Sequence, residues 1–256
     1  MARDVYVMDI TDFRPLVSVT PLRFLRWVTR GFREEGQAAE TAAAAMQASR
    51  GKHPGAIELV GAWYAVGVTG HQQFRAFSLY ACHGGWAGGW RRMVELYQGV
   101  PDSLFLSPID GVRFTATSVP LVAAPGSPAV GAVCDGSVRG PFAVVEFTDV
   151  RTGAGLDYLA AVTEQRRPVM ADYGFQLAGA YEVAFSRRQV CTLWCGGVDG
   201  HVGLLRARDA ARGLDDAVLA DDRLVAWERT SAAFLDGDSR ELMLAAFAGP
   251  PLSPAQ

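Results

Sequence analysis

Lysine is almost missing from this chain: Lys52 is the only one, and arginine supplies the remaining positive charge. That bias, with the many alanines, reads as the coding preference of a GC-rich genome. The formal net charge is −3 over 256 residues, which argues against a nucleic-acid binder, since such a protein needs a basic stripe to meet phosphates. Cysteine is scarce too. Cys82, Cys134, Cys191 and Cys195 are too few and too irregular for a disulfide framework. Cys191 and Cys195 fall on one face of a strand-like run, about 13 Å apart at a strand's rise, so they neither bond nor chelate easily. Reduced, buried thiols are expected. No stretch reaches the roughly 18 apolar residues of a membrane span. The opening "MARDVYVMDITDF" is interrupted by acids before any signal-peptide core can form. A soluble cytoplasmic protein without nucleic-acid or membrane partners is the expectation.

Histidine offers little metal chemistry. His53, His71, His83 and His201 show no H-E-x-x-H spacing and join no His/Cys ligand set. No metal or other cofactor is expected. Haem is not expected either, although His201 could in principle serve as a proximal ligand. "GGWAGG" at 84–89 lacks the strand–GxGxxG–helix setting of a dinucleotide site. Neither a P-loop nor a G-x-S-x-G motif is present.

What the chain does have is an internal echo. "LVGAW" at 59–63 returns as "LAGAY" at 177–181. Upstream, "VYVMDITDF" at 5–13 matches "FAVVEFTDV" at 142–150, aligning Asp9 with Glu146 and Thr11 with Thr148. Downstream, "FSLYACHG" at 77–84 matches "CTLWCGGV" at 191–198, aligning Tyr80 with Trp194. Three matched blocks in one order predict a tandem duplication. The first repeat is read as 1–121, with an Ala-rich helical insertion near 34–52. A Gly/Pro/Ser-rich linker follows at 122–140, and the second repeat occupies 141–256.

Within each repeat the pattern is strand, amphipathic helix, two-stranded hairpin, helical stretch, strand. In the second, Leu156, Leu159 and Val162 follow helical spacing, Pro168 kinks or interrupts the helix, and Gly174 stands where a C-cap glycine belongs. The order βαββαβ is that of a ferredoxin-like unit. One such unit leaves a sheet face bare, and a second copy can cover it. The predicted fold is therefore α+β: two fused ferredoxin-like units with antiparallel sheets forming a pseudo-twofold dimeric α/β barrel, as a monomeric pseudo-dimer or a homodimer.

Alternation divides the first strand into two faces. Tyr6, Met8 and Ile10, with Ala143, Val145 and Phe147, are the more uniformly apolar set and are expected against the helices. Asp9, Thr11, Glu146 and Thr148 are then expected to look into the space between the sheets, with Tyr80 and Trp194 lining it. A carboxylate desolvated there has a raised pKa and serves as general acid or base. Glu146 and Asp9 are the catalytic candidates, with His83 assisting at the cavity mouth. Tyr80, Trp194, Thr11, Thr148 and Arg113 are candidates for substrate contact. The competing reading pairs each acid with an arginine such as Arg113, packs the aromatics as core, and leaves His201 on the surface.

The second half resembles the NIPSNAP family of the dimeric α/β-barrel superfamily. The resemblance rests on "FAVVEFTDV", "YGFQLAGAYEV", "VCTLWCGG" and "ARGLDDAVLADDRLVAW". The family's first-strand glutamate looks like Glu146, its second-strand glycine like Gly179 and its third-strand tryptophan like Trp194. Its helical acid and aromatic look like Asp222 and Trp227. The chain departs from the family at Thr148 and Thr11, where an arginine is usual, and at Gly196 and Cys82, where an aromatic is usual. The resemblance implies the fold and a small-molecule cavity, not a reaction.

Two functions remain open. One is a cofactor-independent enzyme of secondary metabolism acting on a hydrophobic, cyclic or polyketide-like metabolite in the barrel interior. It would work by proton transfer (a cyclase, isomerase or lyase) or by cofactor-free, monooxygenase-like oxygenation. The other is a non-catalytic small-molecule-binding or interaction module of the NIPSNAP type.

Overall fold

β-Branched and aromatic runs bounded by glycine and polar residues become strands, and the longer amphipathic runs become helices. The computed structural model describes residues 3–13, 56–68, 75–99, 113–129, 132, 142–236 and 240–246. The strands are β1 (Val5–Phe13), β2 (Ile57–Val68), β3 (Arg75–Cys82), β4 (Arg113–Ala123), β5 (Phe142–Asp149), β6 (Gln176–Val183), β7 (Gln189–Gly196) and β8 (Arg240–Ala246). The helices are α1 (Gly89–Gly99), α2 (Gly155–Ala161), α3 (Arg167–Asp172), α4 (Val198–Ala211) and α5 (Asp222–Ala232). The expected insertion near 34–52, together with His53, His71 and Cys134, lies outside the described residues. Among the described residues no helix is long and apolar enough to cross a membrane.

The chain divides into two compact units, the second built mainly from Leu121–Ala246. In the first, β3 pairs antiparallel with both β1 and β2. In the second, the antiparallel order is β8-β5-β7-β6, the arrangement of a ferredoxin-like βαββαβ unit. The α+β class, with antiparallel sheets and ferredoxin-like units, is the one expected. Val122 and Ala123 belong to β4, pairing with Glu182 and Tyr181 of β6, because an open edge strand leaves backbone groups free to accept them.

The echoed pentapeptides occupy equivalent places. Leu59 faces Tyr80 and Gly61 faces Leu79, with a β-bulge between Leu59 and Gly61. Leu177 faces Trp194 and Gly179 faces Leu193, with the bulge at the same point. Each glycine gives room to the aromatic two residues on. A Cβ on Gly61 would lie 2.4 Å from the Trp63 ring, and one on Gly179 would lie 2.0 Å from the Tyr181 ring. The motif is thus a bulge, a glycine and a ring folded back over it.

In the second unit, α2 runs straight into α3 through a π-helical turn at Val162–Arg166, where the Arg167 N–H reaches the carbonyl of Val162. Pro168 lies just beyond. Proline has no N–H to give and its ring crowds the carbonyl four residues back, and the wider π turn relieves both problems. The helix is rephased there rather than ended. It stops at Gly174, whose φ of 74° is the left-handed C-cap conformation read from the sequence.

The two strand faces are the reverse of what alternation suggested. Phe142 and Val144 pack in one cluster with Tyr158, Leu159 and Val162 of the helical layer. In the first unit Val5 and Val7 cluster with Met93, against which Trp90 packs, and both are residues of α1. The set expected against the helices lies on the other face and is no less buried: Tyr6, Met8, Ala143 and Val145 are all fully closed to solvent. A strand buried on both sides carries no in/out signal in its apolar residues, and the polar ones went to the side where the helices could supply partners.

Candidate functional site

β5 sends Glu146 from the sheet toward the helical layer of the second unit. The carboxylate is 7% exposed and accepts four hydrogen bonds. Arg166 clamps it, Nη1 to Oε2 at 2.5 Å and Nη2 to Oε1 at 2.6 Å. Thr192 Oγ1 donates to Oε2 at 2.8 Å, and Trp194 Nε1 divides its proton between Oε2 at 3.3 Å and Thr192 Oγ1 at 3.1 Å. Register explains this cluster. Glu146 pairs directly with Thr192, and Trp194 lies two residues along on the same face. Arg166 comes from the π turn, with its guanidinium 5.1 Å from the Trp194 ring centroid and 5.7 Å from that of Trp227 in α5.

Burial alone would raise the pKa of Glu146. The charge and hydrogen bonds of Arg166, with those of Thr192 and Trp194, outweigh it and hold the carboxyl below its ordinary range. The expected raised pKa is therefore corrected at this position, and the competing expectation of an arginine partner is met there by Arg166. Sequence reading missed Arg166, although it falls four residues after buried Val162, on the apolar stripe of its helix.

This cluster forms one wall of a pocket of about 180 Å³. Met170, Leu204, Leu224 and Leu235 supply apolar surface, Tyr158 and Trp227 add rings, and Arg208, Glu228 and Ser231 bring further charge and polarity, so the lining is about evenly mixed. Thr148 lines it alongside Tyr158. Burial, and then the charge of Glu146, raises the pKa of the Tyr158 phenol, so it stays protonated at neutral pH. The volume is below the ~300 Å³ at the low end for sites enclosing drug-sized ligands. It suits a small ring or one end of a larger molecule.

The remaining candidates are dispersed. Asp9 occupies the place in β1 that Glu146 holds in β5, opposite Ser78, and accepts a hydrogen bond from Ser118 at 2.5 Å. Burial raises its pKa, partly opposed by Ser118. Tyr80 packs with Val5, Val7 and Met93. His83 follows β3 at the far end of the strand pair, about 16 Å from the level of Asp9 at a strand's rise. Its Nε2 lies 2.9 Å from Glu58 at a half-exposed surface, so nothing joins it to Asp9. The side chains of Thr11 and Arg113 lie outside the described residues.

His201, expected at the surface, is buried with 6% exposure between Phe142 and Phe175, at ring distances of 4.8 and 6.2 Å. The face of α4 that carries it meets the sheet, which covers the ring. It lines neither the site pocket nor the one of about 390 Å³ beside the β6–β7 hairpin, so it offers an axial ligand to neither. Among the described residues no group of three or more His, Cys, Asp or Glu could hold a metal.

No protein-family model matches the chain, and no curated protein matches it. Solved structures do. A putative monooxygenase from Fusobacterium nucleatum subsp. nucleatum superposes with a TM-score of 0.52 at 8% identity, covering 96% of this chain and 93% of its own. An anthrone oxidase-like protein superposes with a TM-score of 0.50 at 10% identity, covering 95% of this chain and 91% of its own. What is shared at such identities is the fold alone, an α+β arrangement of ferredoxin-like units with antiparallel sheets.

Proposed function

We propose that the protein is an enzyme acting on a small, largely apolar cyclic metabolite held in the pocket of the second unit. The reaction is cofactor-free oxygenation, or proton transfer leading to cyclisation, isomerisation or elimination. The observation that carries this reading is the buried Glu146–Arg166 pair set into a pocket wall that also carries the Tyr158 and Trp227 rings. A pair so placed costs desolvation energy that a hydrophobic pair would avoid. The fold of a putative monooxygenase and an anthrone oxidase-like protein adds support at the level of architecture.

Glu146 is an anion at neutral pH and a weak base, so the chemistry suits a substrate whose C–H or O–H is already acidic. Arg166, fixed by Glu146 and ringed by Trp194 and Trp227, stabilises the negative charge that develops as that proton leaves. In the oxygenation form, an activated ring CH2 and dioxygen give a ring ketone and water. One oxygen atom becomes the carbonyl, and the other leaves with both hydrogens. The chain carries both units and acts as a pseudo-dimer. Asp9 belongs to the other unit and takes no part in this step.

The test is oxygen uptake and product analysis with a panel of phenolic anthrones and related acidic ring compounds. Arg166→Met lowers kcat/KM by ~10²-fold or more, the loss typical of removing one donor to a developing anion. Turnover that survives this change in a folded variant overturns the proposal. Saturable binding without turnover across the panel supports the second reading, a non-catalytic binding module of the NIPSNAP type. The small pocket volume favours that alternative.

A further inference from the structure

The charges around the pocket do not cancel. Glu146 is matched by Arg166 at 2.5 Å, and Glu228, on the same wall, is held by Arg212 at 2.6 Å. Arg208 remains. It projects from α4 into the lining, and its Nε is closed to solvent without a hydrogen-bond partner. It forms no ion pair among the described residues. Leu204, Leu205 and Ser231, also on the wall, bring no negative charge.

We propose that Arg208 is the anchor for an anionic oxygen of the ligand, so that the pocket selects ring compounds bearing a carboxylate or an ionised phenol or enol. The inference rests on the small-molecule reading of this pocket and adds the class of compound it takes. A buried N–H donor lacking an acceptor is costly, and a ligand oxyanion supplies the acceptor that the protein omits. The guanidinium fork suits a carboxylate in two-point contact and a phenolate in one-point contact. The apolar remainder of the wall and the Trp227 and Tyr158 rings fit a flat hydrocarbon frame behind that oxygen. Arg166 is already engaged with Glu146, so the two arginines divide the work: one is held by a carboxylate of the protein and the other has none among the described residues.

The experiment is equilibrium binding, followed by tryptophan fluorescence, of benzoate and 2-naphthoate against benzamide and 2-naphthamide. 2-Naphthol, titrated across its own ionisation, is the phenolate arm. The wild-type protein binds each acid ~10-fold or more tightly than its neutral amide, the factor that a charge-assisted hydrogen bond supplies. Added salt weakens the acids and leaves the amides unchanged. Arg208→Met abolishes the preference without weakening the amides, and Arg208→Lys restores much of it for carboxylates. Equal affinities for acid and amide in the wild type overturn the proposal, as does an acid preference that Arg208→Met leaves intact. Binding is scored without turnover, so an acid preference in a protein that turns nothing over sustains this inference while the enzymatic reading fails. Turnover by a protein that binds each acid no more tightly than its amide does the opposite.

Discussion

Arg166 grips both oxygens of Glu146 from a π-helical turn, Nη1 at 2.5 Å and Nη2 at 2.6 Å, although the two residues belong to different layers of the unit. The bond joins the one irregular turn of the long helix to the central strand of the sheet. Two groups that would each be prohibitive alone are tolerable together, because each satisfies the other's charge and geometry.

Breaking that pair from one side should be severe. With side-chain exposures of 9% for Glu146 and 15% for Arg166, Glu146→Gln leaves the guanidinium buried and uncompensated. A loss of about 3–5 kcal/mol is expected in denaturant titration. The double variant Glu146→Leu/Arg166→Leu should be less destabilised than either single one. Additive losses in this cycle would mean that the two side chains do not act as a pair.

The two equivalent acids should respond oppositely to pH. Glu146 has a folded pKa below its unfolded one, so its contribution is present above the ordinary carboxylate range and is lost as pH falls through the folded value. Asp9 has a folded pKa above its unfolded one. Its ionisation penalises the folded state progressively as pH rises from the ordinary value of 3.8 through the folded value. Asp9→Asn should match wild type in acid and equal or exceed it at neutral pH, whereas Glu146→Gln should be most damaging at neutral pH. Stability curves measured from pH 3 to 8 would expose a common sign for the two variants, which this account does not permit.

The echoed glycines are steric requirements. Gly179→Ala places a methyl group 2.0 Å from the ring of Tyr181, which is fully buried and has no room to swing away. A loss of about 1–3 kcal/mol follows. Gly61→Ala meets Trp63 in the same way. Gly197→Ala, where a new Cβ meets nothing within 4 Å, is the control and should shift stability by no more than about 0.5 kcal/mol. Thermal melts of the three variants provide the comparison.

His201 should be replaceable at a gain. Both ring nitrogens are buried without hydrogen-bond partners, and the ring already packs against Phe142 and Phe175. His201→Phe removes unsatisfied polar atoms worth about 1–3 kcal/mol. Burial, reinforced by Arg208, lowers the histidine's folded pKa below 6.5, so wild-type stability falls as pH drops through and below that value. The variant's advantage should therefore widen between pH 7 and 5. A constant or shrinking advantage would argue against the neutral, buried imidazole.

Much of the fold is written locally. "LVGAW" and "LAGAY" encode the same bulge, glycine and folded-back ring in β2 and β6, and Gly174 ends its helix because few other residues adopt that backbone conformation easily. Pro168 marked an irregularity in the helix, though not its form. The candidate site was only half legible. Glu146 and Trp194 stood out as a polar residue and a large ring in aligned strands, but nothing in the strand pattern named Arg166. Its signal, an arginine on the buried stripe of a helix, becomes meaningful only when a partner is known to lie opposite.

By itself the sequence determined the α+β class, the order of elements in the second unit and the positions of its special glycines. These follow from side-chain period, backbone preference and local sterics. Tertiary structure decided which face of each strand meets the helices, because a strand buried on both sides carries no solvent signal to read. It likewise decided the charge state of Glu146: desolvation and an arginine pull in opposite directions, and their balance depends on distances that exist only once the helix has packed on the sheet.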